Sequence, residues 1–115
     1  MSNDGRWARQ VLVASLLATG LSAATFLSAG TDPKHRYEIE IRGMAFHPAD
    51  LTIAPGDTVV WVNRDIFPHS ATHKSLWDTG TLTTGDSGRF IAQSRGEATY
   101  ACTLHPTMTG KLLVK

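Results

Sequence analysis

Gly96-Glu97-Ala98-Thr99-Tyr100-Ala101-Cys102-Thr103-Leu104-His105-Pro106-Thr107-Met108 reads as a strand that runs straight into a cluster of soft donors. Residues 96–102 alternate in the two-residue period of a half-buried strand. The last seven residues hold the only cysteine, one of five histidines and one of three methionines. Thiolate, imidazole and thioether at C-x2-H-x2-M spacing do not suit zinc, which has little use for a thioether, or calcium and magnesium, which want oxygens. Copper accepts all three donors in either valence, and one more imidazole completes a set of two His, one Cys and a weak axial Met. His69 is the candidate for that fourth position.

Upstream, the chain reads as β throughout. Thr58-Val59-Val60-Trp61-Val62-Asn63 is β-branched and aromatic, the strongest strand signal present. From His35 to Arg42 the apolar Tyr37, Ile39 and Ile41 alternate with Arg36, Glu38, Glu40 and Arg42. Residues 43–48 turn the chain and Leu51-Thr52-Ile53 resumes it. Pro55-Gly56-Asp57 is a turn, with proline presetting φ and glycine supplying a positive one. Residues 64–68 form a loop leading into His69. Gly80–Leu82 reads as a weak strand, Gly85–Gly88 as a turn, Arg89–Ala92 as a short strand and Gly110–Lys115 as the last one. Short strands at regular turns, without an amphipathic helix, predict an all-β sandwich.

Ahead of that domain, Arg6 and Arg9 give a positive start, and no charged residue occurs from Gln10 to Thr31. Residues 1–30 therefore read as an export signal, with small residues at 22–24 permitting cleavage after Ala24. The uncharged run also has the length of a bilayer span, so a membrane tether through residues 10–31 is the rival reading. Either places residues 37–115, reached through a linker at 31–36, outside the cytoplasm, in the periplasm. Without the first 29 residues the chain carries 9 Lys and Arg against 9 Asp and Glu. A neutral domain has no electrostatic case for nucleic acid. A single cysteine excludes an internal disulfide.

Val60-Trp61-Val62-Asn63-Arg64-Asp65-Ile66-Phe67-Pro68-His69 and Tyr100-Ala101-Cys102-Thr103-Leu104-His105-Pro106-Thr107-Met108-Thr109-Gly110-Lys111 together resemble the cupredoxins, the small blue-copper proteins. The likeness is greatest to the amicyanin, pseudoazurin and plastocyanin group, and covers residues 37–115. Leu104 stands where amicyanins usually carry proline. The resemblance implies a Greek-key sandwich and one mononuclear type 1 copper. His69 and His105 would bind through imidazole nitrogen, Cys102 through thiolate, and Met108 through a longer axial contact. It implies a monomeric one-electron carrier cycling Cu(II)/Cu(I), not an enzyme, because four protein ligands leave no open position for substrate.

Its partners would be redox proteins: a dehydrogenase, a c-type cytochrome or an oxidase. They would dock on an apolar patch of Met44, Phe67, Pro68, Pro106 and Met108 around His105. Asn63 reads either as an ordinary strand-end residue or as one that steadies the two ligand loops by hydrogen bonds. His35, His47 and His73 read as surface residues, and Tyr100 as a packed tyrosine with a bonded hydroxyl. Copper storage or delivery is the alternative function. A structural zinc domain lacks the second cysteine, and a binding module that has lost its metal would not need the full donor set.

Overall fold

The computed structural model describes residues 34–115. The segment expected to be an export signal or anchor, and the first half of the expected linker, lie outside them. Among the described residues there are nine strands and no helix. They are β1 (Arg36–Arg42), β2 (Ala45–His47), β3 (Asp50–Ile53), β4 (Thr58–Asn63), β5 (Thr72–His73), β6 (Trp77–Asp78), β7 (Ser87–Ile91), β8 (Gly96–Ala101) and β9 (Thr109–Val114). One sheet has the order β2-β1-β4-β7 and the other β3-β9-β8-β5-β6. The pairs β1/β4 and β3/β9 are parallel and the rest antiparallel, so the chain crosses between sheets rather than meandering. The all-β sandwich expected from the sequence is the fold observed.

Local pattern explains each layer. In β1, Ile39 and Ile41 point into the sandwich while Arg36, Glu38 and Arg42 stay exposed. β4 is buried from Val59 to Asn63, as its unbroken apolar run requires for a strand with neighbours on both sides. Inside, Trp61 stacks on Trp77 (5.4 Å between centroids) and meets Tyr100 edge-on (5.3 Å), and Tyr100 meets Phe46 edge-on (4.8 Å). Burial raises the Tyr100 phenol to about 12. Its hydroxyl has no hydrogen-bond partner among the described residues, contrary to the bonded hydroxyl expected. The ring packs against Gly110, the residue opposite it on β9, so closely that a Cβ there would meet Cζ and Oη.

One expected strand needs correction, and one hairpin was not expected. Gly80–Leu82 is not a strand: Gly80 turns the chain at φ 73°, and only Leu82 pairs, as an isolated bridge to His69. Conversely, a hairpin of two-residue strands, β5 and β6, occupies residues 72–78 and brings Trp77 into the core. Two residues are too few for alternation to show.

The loops at 43–44, 64–71 and 102–108 meet at one end of the sandwich. At the other end Asp57 ties the chain together. Its buried carboxylate accepts from the His35 and Ala54 amides, each at 2.9 Å. These bonds, the His35 one foremost, hold its pKa below the ordinary carboxylate value. A lowered folded pKa contributes stability that is complete above the unfolded value near 3.8 and is lost as pH falls through the folded one. Asp57→Asn should therefore lower Tm at pH 7, and the gap to the native protein should close as both are melted at pH 5, 4, 3 and 2. A gap independent of pH would contradict this.

Candidate metal centre

The register of β8 decides where the cysteine goes. Ala98 and Tyr100 face inward, and continuing that period buries Cys102 at the strand's end. The loop after it is closed by its own backbone: Cys102 N–H donates to Met108 C=O (3.1 Å) and Met108 N–H to His105 C=O (2.9 Å). Few residues need ordering to make this closure, so its entropic cost is small. His69 comes from the loop after β4 and is locked by paired backbone bonds with Leu82, at 3.0 and 2.7 Å.

The folded chain thus brings together groups 33 residues apart. Ligand atoms of His69, Cys102 and His105 all lie within 4.8 Å of one another. Cys102 Sγ is 3.9 Å from His69 Nδ1 and 3.8 Å from His105 Nδ1. A first-row metal sits about 2.0–2.1 Å from imidazole and about 2.3 Å from thiolate, zinc being the reference case. Each sulfur–nitrogen separation is thus within the span that one bound ion bridges. Met108, the fourth residue expected here, is buried beneath the loop and belongs to the core cluster. It is thereby removed from the surface patch to which the sequence assigned it. Histidines 35, 47 and 73 lie outside the group. Two of them are not the plain surface residues expected. His47 is half-buried and bonds the Arg42 carbonyl through Nε2 (3.1 Å). His73 is half-buried too, stacks on Trp77 (5.3 Å), and accepts the Ser75 and Leu76 amides on Nδ1.

Residues that sequence reasoning passed over orient the donors. Asp65 Oδ2 lies 2.9 Å from His69 Nε2. The proton on that nitrogen points at the carboxylate, which leaves the Nδ1 lone pair facing the sulfur. Asp65 also accepts from the Met44 amide (3.0 Å), the largest of the causes that lower its pKa, followed by the His69 bond. Gly43 and Met44 form the two-residue turn of the β1–β2 hairpin at φ 57° and 60°. A left-handed methionine costs about 1–2 kcal/mol, and the bond to Asp65 offsets part of that. The hairpin tip is in this way fastened to His69 through one side chain.

The loop-steadying role considered for Asn63 is divided. Asn63 holds the first ligand loop only, donating to the Phe67 and Leu82 carbonyls (2.9 and 2.7 Å) and accepting from the Asp65 amide (2.8 Å). Ser70 makes the cross-loop contacts. Its amide donates to Cys102 Sγ (3.3 Å), and its Oγ accepts from the Thr103 amide (3.0 Å). Ser70 and Thr103 each follow a candidate donor by one position, His69-Ser70 and Cys102-Thr103, and that is the signal the sequence carries for them.

A family model described as a cupredoxin-like domain matches residues 11–114. The chain belongs to the cupredoxin-like family. It is 30% identical to amicyanin from Paracoccus versutus, over 77% of this chain and 72% of that one. It is 30% identical to the methylamine utilization protein MauL of Methylophilus methylotrophus, over 96% and 68%. Among solved structures, a purple cupredoxin from Nitrosopumilus maritimus superposes with a TM-score of 0.66 at 26% identity, covering 69% of this chain and 99% of that one. The family's cofactor is one copper ion. The donor set here fits it, since a buried thiolate position, two imidazoles turned toward it and a thioether at the loop's end are what copper in both valences accepts. A plastocyanin from Synechococcus is also similar, 32% identical over 91% of this chain and 90% of that one.

Proposed function

We propose that this domain is a periplasmic one-electron carrier whose copper is held by His69, Cys102, His105 and Met108. The reading is carried by the convergence of three ligand atoms within 4.8 Å, with the far nitrogen of His69 already committed to Asp65. Bound copper would supply the Cu(II)/Cu(I) couple; the protein supplies a fixed frame for it. The Ser70 amide offsets negative charge on the Cys102 sulfur. Asp65 and Asn63 keep the His69 loop from relaxing, and the Cys102–Met108 backbone bond keeps the second loop short. Donors held in place for either valence lower the rearrangement that accompanies electron transfer. Titration with Cu(II) should saturate at one equivalent with an intense visible thiolate-to-copper band, and the band should bleach and return through reversible one-electron reduction. A colourless complex, or copper surrendered rapidly to a chelator, would favour storage or delivery instead.

Electrons would pass to redox proteins at the apolar surface around His105. Support comes from the loops at this end, which expose Met44, Ile66, Phe67 and Leu104, with Pro68 and Pro106 also exposed and His105 half-buried. Phe67 is half exposed, at 50%. A central aromatic of a small docking surface contributes on the order of 1–2 kcal/mol or more. Phe67→Asp should therefore slow electron exchange with a c-type cytochrome by roughly tenfold or more while leaving the visible spectrum unchanged. An unaltered rate would count against the patch.

A further inference from the structure

A line of side-chain oxygens leads away from the centre into the β5–β6 hairpin. Ser70 Oγ lies 3.0 Å from Thr72 Oγ1 and 3.0 Å from Thr103 Oγ1. Thr72 Oγ1 donates to Asp78 Oδ1 at 2.9 Å, across the register pair Thr72↔Asp78, and Gly80 N–H donates to the same oxygen at 2.8 Å. Distance alone leaves the two hydroxyl–hydroxyl bonds without direction. The carboxylate supplies it, because it accepts and does not donate, while each hydroxyl has one proton. Thr72 gives its proton to Asp78, so it must accept from Ser70. Ser70 gives its proton to Thr72, so it must accept from the Thr103 hydroxyl as well as from the Thr103 amide. One charged group at the surface therefore orders every rotor up to the residue whose amide meets the cysteine sulfur.

We propose that Asp78 is a positioning residue: through Thr72 and Ser70 it holds the Ser70 amide on Cys102 Sγ, and so sets the reduction potential of the centre. The proposal rests on the reading of Cys102 as the thiolate ligand. An N–H···S bond favours the valence with more charge on sulfur, which is Cu(I). Loosening it lowers the potential. A plain Coulomb effect has the opposite sign, because removing an anion near the centre favours the less positive ion and raises the potential. The two mechanisms are thus separable.

Three variants make the test. Asp78→Ala and Thr72→Val cut the chain, whereas Asp78→Asn removes the charge but keeps an oxygen that can accept from Thr72. In the metal-free protein, Ser70 amide exchange followed by NMR should quicken at least tenfold in the first two, relative to β8 amides, and stay within about twofold in Asp78→Asn. In the copper-loaded protein, the first two should shift the Cu(I)/Cu(II) ratio about threefold toward Cu(II) at fixed reductant, or ~28 mV at 59 mV per tenfold for one electron. Asp78→Asn should restore the native ratio. Unchanged Ser70 exchange in all three variants would overturn the proposal. So would a raised potential in both Asp78 variants with Thr72→Val silent, which would show charge acting through space. Failure of the native protein to form a blue copper complex would instead reject the ligand reading, a result distinct from either.

Discussion

Replacing Cys102 with serine should abolish the visible band and reduce copper affinity more than 100-fold, while the domain still folds. Loss of groups that merely orient a ligand costs about 10–100-fold in affinity, and here the thiolate itself is removed. The fold should survive because Cys102 is a small buried residue at a strand end, and serine offers the Ser70 amide an oxygen in place of the sulfur. Stability gives a second readout. At copper 100 times above Kd, binding stabilises the native protein by about 2.7 kcal/mol. For a domain of this size that raises Tm by roughly 10–20 °C. The rise should disappear in Cys102→Ser, with the metal-free melting point little changed. A serine variant that stayed blue, or that copper still stabilised fully, would remove the basis for the ligand assignment.

Gly110→Ala should be the most damaging single change outside the ligands. Gly110, the second residue of β9, lies directly opposite Tyr100, and a Cβ there would overlap Cζ and Oη of the phenol. The ring cannot swing aside easily, being packed edge-on against both Trp61 and Phe46. Overpacking a closed core costs about 1–3 kcal/mol, a fall in Tm of roughly 5–20 °C. The damage should spread to the metal end, since Tyr100 is two residues from Cys102 and Gly110 two from Met108, so copper release should quicken as well. Tyr100→Phe removes one of the two overlapping atoms, and with it a buried hydroxyl that has no partner. In the Gly110→Ala background it should recover part of the loss. If Gly110→Ala melted like the native protein, the proposed contact of ring and strand would be wrong.

Much of this architecture can be read along the chain because it is written in short-range pattern. The alternation of Tyr37, Ile39 and Ile41 places β1, the unbroken apolar run 59–62 places β4 at a sheet centre, and C-x2-H-x2-M puts three donors in one turn of chain. Those features follow from side-chain size and backbone period, which any single strand expresses by itself. The hairpin at 72–78 was invisible, because strands of two residues have no period. Met108 could be named as a donor but not seen to be buried, and Ile66 and Leu104 joined the exposed apolar surface unannounced.

The sequence by itself determined the sandwich, the donor types and their spacing on the second loop. Only the tertiary structure decided which partner each donor has: Asp65 on the far nitrogen of His69, Ser70 on the sulfur of Cys102, Thr72 and Asp78 behind Ser70. The reason is physical. A hydrogen bond depends on position to a fraction of an ångström, and residues 32 or 33 apart in sequence reach that precision only after two sheets have packed and brought their loops to the same end.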